Sequence, residues 1–185
     1  MSKIYIALYK PFGHLSQFTG EKGQRTLAEF GLPPNVYAVG RLDKDSEGLL
    51  LLTNDGPFAN KLLHPKFNHF KTYWAQVEGL PTKDSLEQLQ KGVVIKGYKT
   101  KPCTVKILGD EMMIPPRDPP IRHRKNIPTT WLEIILTEGK NRQVRRMTAK
   151  VGHPTLRLLR MKIEKLTLNG LKPGQWKKVR KKDVQ

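Results

Sequence analysis

Cysteine is almost absent from this chain: Cys103 is the single one in 185 residues. No intrachain disulfide can form, and a zinc site built on paired cysteines is excluded. Long apolar runs are missing as well. The four leucines Leu49 to Leu52 fall far short of the ~20 residues needed to cross a bilayer. The start, Met1-Ser2-Lys3-Ile4, passes straight into alternating residues without the layout of a signal peptide, so a cytoplasmic protein is expected, with no membrane partner. Acidic residues are also scarce. There are 16 Asp and Glu against 34 Lys and Arg, a formal charge of +18. Balanced signs suffice for solubility, so such a surplus points to a polyanion, RNA or DNA before an anionic membrane. No Walker loop and no Gly-x-Gly-x-x-Gly occurs, which leaves nucleotide cofactors without support. His64 and His69 flank Pro65 and Phe67 with neither helical spacing nor a third ligand, so no metal is expected.

The periodicity that is present predicts many strands and few helices. Alternation marks strands over 4–9, 37–39, 71–79, 93–95, 104–108, 131–137, 155–161 and 176–179, and the leucine run at 49–52 demands a buried strand. Short helical segments are predicted over 25–30 and 143–151. Another begins at Asp55 with Pro57 in its first turn, and one begins at Pro81-Thr82 and closes at Gly92. Residues 112–128 hold five prolines interleaved with Arg117, Arg122, Arg124 and Lys125, which predicts an extended basic surface loop. The basic residues at the end, 180–185 included, are expected to fray. With neither an internal repeat nor an interior linker, the chain reads as one α+β domain, its sheet mixed or mainly antiparallel.

Three segments carry chemistry. Gly40-Arg41-Leu42-Asp43-Lys44-Asp45-Ser46-Glu47-Gly48 is a charged loop running directly into the buried strand, a place where a catalytic group can be held still. It offers Asp43, Asp45 and Glu47 as candidate carboxylates and Arg41 as a charge partner. Asp45 suits bonds to loop amides, and Glu47 is expected to face solvent. The second segment is Glu138-Gly139-Lys140-Asn141-Arg142-Gln143-Val144-Arg145-Arg146-Met147, and the third Lys71-Thr72-Tyr73. On spacing alone Tyr73 is a sheet residue and the arginines are a basic helix face. Trp74, Trp131 and Trp176 read as core, and His14, His123 and His153 as surface groups or RNA contacts.

The first segment resembles the signature loop of the pseudouridine synthases, in the branch holding the ribosomal small-subunit synthase A and the large-subunit synthases B, E and F. In that family the aspartate of Arg-Leu-Asp is catalytic, which carries over to Asp43. The arginine after Gln-Val pairs with that aspartate, which carries over to Arg145. The tyrosine of Lys-Thr-Tyr, here Tyr73, stacks on the target base, and Arg41 helps hold the flipped-out nucleotide. Lys71, Lys140, Arg142, Gln143 and Arg146 complete the expected substrate-binding set. Pro116-Arg117, Pro119-Pro120-Ile121-Arg122, Ile127-Pro128-Thr129 and Pro154 through Leu158 narrow the resemblance to the group of large-subunit synthase E.

The resemblance implies a mixed, mainly antiparallel sheet flanked by helices and loops with a central cleft, in a single catalytic domain over residues 1–185 lacking the amino-terminal RNA-binding module of many relatives. It implies isomerisation of a uridine in 23S ribosomal RNA or a large-subunit precursor, by a monomer using no cofactor, with Asp43 acting as nucleophile or as base. Two other classes fit parts of the sequence. A non-catalytic ribosomal RNA-binding or ribosome-assembly protein would explain the charge but not the acidic loop. A nuclease or glycosidase would explain a carboxylate, but not without metal ligands or a second facing carboxylate.

Overall fold

The computed structural model describes residues 2–109, 113–121 and 127–185. In chain order the strands are β1 (Tyr5–Lys10), β2 (Tyr37–Ala38), β3 (Glu47–Thr53), β4 (Lys71–Glu78), β5 (Val94–Ile95), β6 (Tyr98–Lys99), β7 (Thr104–Ile107), β8 (Thr129–Leu136), β9 (Thr155–Ile163), β10 (Leu166–Thr167) and β11 (Trp176–Lys178). The helices are α1 (Gly56–Leu63), α2 (Lys83–Lys91) and α3 (Gln143–Lys150). Strands outnumber helices and do not alternate with them, so the α+β class and the mainly antiparallel sheet expected from the sequence are present. The chain divides into two compact units, one running to His69 and resuming over Leu159–Gln185, the other spanning Phe70–Leu158.

In the first unit β1 lies antiparallel between β11 and β3, while β3 runs parallel to the later part of β9 through Glu47 with Leu159 and Gly48 with Arg160. Both β1 and β3 are buried along their whole length, as central strands must be. Ile6, Leu8, Leu50 and Leu52 meet Leu27 and Val36 in the core. Gly48 has φ +102°, and a Cβ there would collide with the Arg160 backbone, so only glycine lets β3 and β9 close up at the start of the strand.

Helix α1 begins where local chemistry dictates. The Asp55 carboxylate accepts the Phe58 N–H at 3.3 Å and the Tyr5 hydroxyl at 2.7 Å, so one side chain caps the helix and ties it to β1. Burial, then this bond and the Asp55 charge, push the Tyr5 phenol up to about 12. The C-terminal residues, expected to fray, make contacts with the rest of this unit. Lys181 lies 4.9 Å from the Phe58 ring, Val184 is fully buried, and its carbonyl accepts the Lys165 N–H at 3.2 Å. His14, expected as a surface group or RNA contact, is buried too, and burial pushes its pKa below the ordinary imidazole value.

In the second unit β4 and β8 pair over their full lengths, Lys71 with Leu136 through Glu78 with Thr129, and β7 extends the antiparallel sheet beyond β8. β5 and β6 form a small hairpin. The alternating burial of β8 puts Leu132, Ile134 and Leu136 into a core shared with Ala75, Val77, Leu89 and Met147. α2 starts at Thr82, whose hydroxyl accepts the Ser85 N–H, and ends at Gly92. Cys103 packs against this core and donates its thiol hydrogen to the Leu89 carbonyl. Burial, then the Glu138 charge, raise it to about 11, which makes it an inert core thiol. Residues 113–121 and 127–128 carry neither helix nor strand, in line with their prolines. Arg117 donates to the carbonyls of Pro119 and Pro120, whereas Arg122, His123, Arg124 and Lys125 lie outside the described residues.

Candidate active site

The signature loop connects β2 to β3 in the first unit and is pinned at several points. The Val39 N–H donates to the Leu51 carbonyl at 2.7 Å. At Leu42 the Ser16 hydroxyl serves both backbone groups, donating to the carbonyl at 2.8 Å and accepting the N–H at 3.0 Å. The Gly13 N–H reaches the Lys44 carbonyl at 2.8 Å, and the Ser46 N–H closes a turn on the Asp43 carbonyl at 3.0 Å. Asp43 thus sits half-buried between fixed neighbours, with Leu42 buried behind it and Arg41 exposed. Gly40 supplies the entry bend with φ +71°, and a Cβ there would come within 3.0 Å of Leu63 at the end of α1.

Beneath the loop lies a residue that sequence reasoning missed. Lys10, the last residue of β1, is fully buried, and its ammonium donates to the carbonyls of His14 at 2.7 Å and Pro11 at 3.0 Å. Burial drags its pKa from 10.5 down to about 8, against the pull of Glu47, Asp45 and Asp43, while Arg160 adds to the lowering. Lys10 therefore feels all three loop carboxylates and ties the 11–14 turn beneath them. The only hint in the sequence is a lysine closing an apolar alternation just before Pro11. Glu47 corrects an expectation: it is 3% exposed instead of solvent-facing, because it is the first residue of a strand buried on both faces. Arg160 is buried as well and donates its Nε–H to the Leu49 carbonyl at 2.8 Å.

The second unit holds the remaining candidates. Tyr73 and Lys71 are half-buried on β4, Tyr73 paired with Ile134 and packed at the edge of the core. Arg145 is half-buried on α3, where its guanidinium donates to the Thr155 carbonyl at 3.2 Å. The turn leading into α3 places Lys140 and Arg142 outward, with Arg142 in the left-handed region at φ 50° and the Lys140 ammonium 4.7 Å from the Tyr98 ring. Arg146 binds back to its own loop, donating to the Asn141 side chain at 2.6 Å and to the Asn141 carbonyl.

Gln143, expected to bind substrate, is tied into the turn in this structure. It is buried, its amide oxygen accepts the Lys140 N–H at 2.9 Å, and its amide nitrogen donates to Glu138 at 2.6 Å. Both ends are committed within the chain, which makes it a brace of the turn. Glu138 is the hub, accepting also the Tyr98 hydroxyl at 2.6 Å and the Lys101 N–H at 2.9 Å. Burial alone would raise its pKa, but those donors outweigh it and hold the carboxylate below its ordinary value. Among the described residues no group of three His, Cys, Asp or Glu side chains could hold a metal ion, and no helix is long and apolar enough to cross a membrane.

The first unit carries a pinned loop with a half-buried carboxylate, the second a basic entry to α3, and the chain as a whole a charge of +18 suited to a polyanion. The family model for RNA pseudouridylate synthase matches residues 4–150, and the chain belongs to that family, whose members turn uridine in RNA into pseudouridine. It is 55% identical over 176 residues to the ribosomal large subunit pseudouridine synthase E of Xanthomonas campestris pv. campestris, with 94% of each chain covered. It is 39% identical to the ribosomal large subunit pseudouridine synthase B of Bacillus subtilis, over 98% of this chain and 70% of that one. Among solved structures, one described as a crystal structure of pseudouridylate synthase superposes with a TM-score of 0.81 at 25% identity, over 99% of this chain and 73% of the other.

Proposed function

We propose that this chain isomerises a uridine of 23S ribosomal RNA, free or in a large-subunit precursor, in the manner of the large-subunit synthase E group. The observation that carries this reading is the 55% identity to a named synthase E over nearly all of both chains, together with the pinned loop that presents Asp43. In the reaction the N1–C1′ bond breaks, the uracil turns, a C5–C1′ bond forms, and the C5 proton is lost as N1 gains one. Electrons balance without any redox partner.

The assigned roles follow from the motifs. Asp43 is the catalytic carboxylate, as nucleophile or as the base that withdraws a sugar proton. Arg145 is its counter-charge, suited to the task because a guanidinium stays ionised and can grip a carboxylate by two bonds. Tyr73 stacks on the base, and Arg41 steadies the extruded nucleotide. Extrusion takes a few kcal/mol, offset by stacking and by phosphate contacts from Lys71, Lys140 and Arg142. The catalytic machinery forms one domain working as a monomer, in the cytoplasm where ribosomal RNA is made. Incubating the protein with an unmodified 23S transcript and mapping pseudouridine at single-nucleotide resolution tests the reading. One dominant new site is the expected result, and no pseudouridine at all would overturn it.

A further inference from the structure

The end of α1 runs into a 3-10 turn, Pro65–Phe67, that the roles above leave unused. The turn is well built. The His64 Nδ1 accepts the Lys66 N–H at 3.2 Å, the Asn68 N–H closes on the Pro65 carbonyl at 3.2 Å, and His69 is fixed to Glu164 at 3.0 Å. Yet this scaffold holds apolar groups out in solvent: Phe67 is 42% exposed and Leu63 48%. Cations gather over the same ring, the Lys66 ammonium 4.9 Å and the Lys61 ammonium 5.9 Å from its centroid, with the His64 and His69 rings at 5.9 and 6.0 Å. Exposure alone does not single out this ring, since Phe70 and Tyr37 are more exposed; what does is the pair of lysines gathered at it on a braced turn.

We infer that the Phe67 turn, with Lys61, Leu63 and Lys66, is a stacking platform for an unpaired base of the RNA substrate flanking the target nucleotide. The exposed part of the ring is open to contact with a base, and the Lys61 and Lys66 ammonium groups that lie over the ring are placed to meet the adjoining phosphates. Its place supports this, since the Leu63 side chain fills the space that a Cβ at Gly40 would need, at the entry to the signature loop, one residue before Arg41 and three before Asp43. A protein partner would also cover an apolar patch, but the chain's charge of +18 and the lysines over the ring favour a polyanion. The inference rests on the proposed RNA-modifying function and adds a contact to it.

The test compares Phe67→Ala, Phe67→Leu, Phe67→Tyr and Phe67→Trp with the wild-type chain for equilibrium binding to an unmodified 23S transcript, thermal midpoint and single-turnover rate at saturating enzyme. Phe67→Ala and Phe67→Leu are expected to bind about 5- to 100-fold more weakly, with Phe67→Tyr and Phe67→Trp within about threefold of wild type. Thermal midpoints and saturating rates stay level, and the added tryptophan of Phe67→Trp is quenched when RNA binds. Unchanged affinity in Phe67→Ala overturns the inference. So does a loss that Phe67→Tyr shares and that tracks a lower thermal midpoint, which would make the ring a brace. A loss seen only with large-subunit precursor particles and not with naked transcript would mean a protein partner, and also overturns it. Affinity and quenching do not depend on turnover, so failure of the wild-type chain to form pseudouridine would count against the proposed function alone.

Discussion

Replacing Lys10 with methionine isolates the charge under the signature loop. The native lysine titrates at about 8, whereas the unfolded chain holds the same proton to 10.5. Below pH 8 both states are protonated, and the fold bears the whole expense of burying an ammonium. Between 8 and 10.5 the unfolded state binds the extra proton, so stability rises with pH across this window and levels off above it. At 1.36 kcal/mol per pH unit, the shift from 10.5 to about 8 amounts to about 3 kcal/mol. Urea unfolding of wild type and Lys10→Met, repeated from pH 7 to 10.5, gives the quantity of interest as the difference between the two, in which other titrations cancel. Wild type should gain on the variant by up to about 3 kcal/mol over that range. The substitution also removes the bonds to Pro11 and His14, which sets the baseline but not the slope. A flat difference would refute the reasoning, because it would mean that Glu47, Asp45 and Asp43 compensate the buried ammonium fully.

Other outcomes follow from the second unit and the loop. Arg145→Met should slow the single-turnover rate far more than it weakens RNA binding, while Arg146→Met, which frees Asn141 and loosens the turn, should weaken binding with little effect on the saturating rate; equal affinity losses with unchanged rates would make Arg145 only a phosphate contact. Glu138→Gln should narrow the stability margin above pH 5 and lose its deficit on acidification, since a carboxylate held below its ordinary 4.5 stabilises the fold above that pH and ceases to do so once protonated; circular dichroism melts from pH 3 to 7 read this. Neutralising Arg117, Arg122, Arg124 and Lys125 together should flatten the salt dependence of RNA binding by ~0.7–0.9 log units of slope for every phosphate that is no longer paired with a cation. An unaltered slope would leave the proline-rich segment as a brace, a role to which Arg117 is already partly committed through Pro119 and Pro120.

Features decided within a few residues were legible in the sequence. The caps at Asp55 and Thr82, the stop at Gly92 and the alternation of β8 each depend on local backbone needs, and each falls where the pattern puts it. Charges whose fate depends on the sheet were not legible. Lys10 and Glu47 look like ordinary surface residues in one dimension, and only the central position of β1 and β3 buries them. Gln143 enters the expected substrate-binding set through the resemblance, and the bonds of its amide to Glu138 and Lys140 could not be read from the sequence. The Phe67 ring reads in the sequence only as an aromatic among histidines with no metal spacing, and the lysines that gather at it are visible only in the fold.

The central claim is that one carboxylate, Asp43, performs the chemistry while binding is spread over many cations. The most direct measurement is a single-turnover assay of Asp43→Asn on unmodified 23S transcript, with RNA affinity measured on the same preparation and Asp45→Asn alongside. Asp43→Asn should form no pseudouridine yet bind RNA within a few fold of wild type, and Asp45→Asn should retain turnover. Appreciable turnover by a homogeneous Asp43→Asn preparation, or a dead Asp45→Asn beside an active Asp43→Asn, would contradict the account.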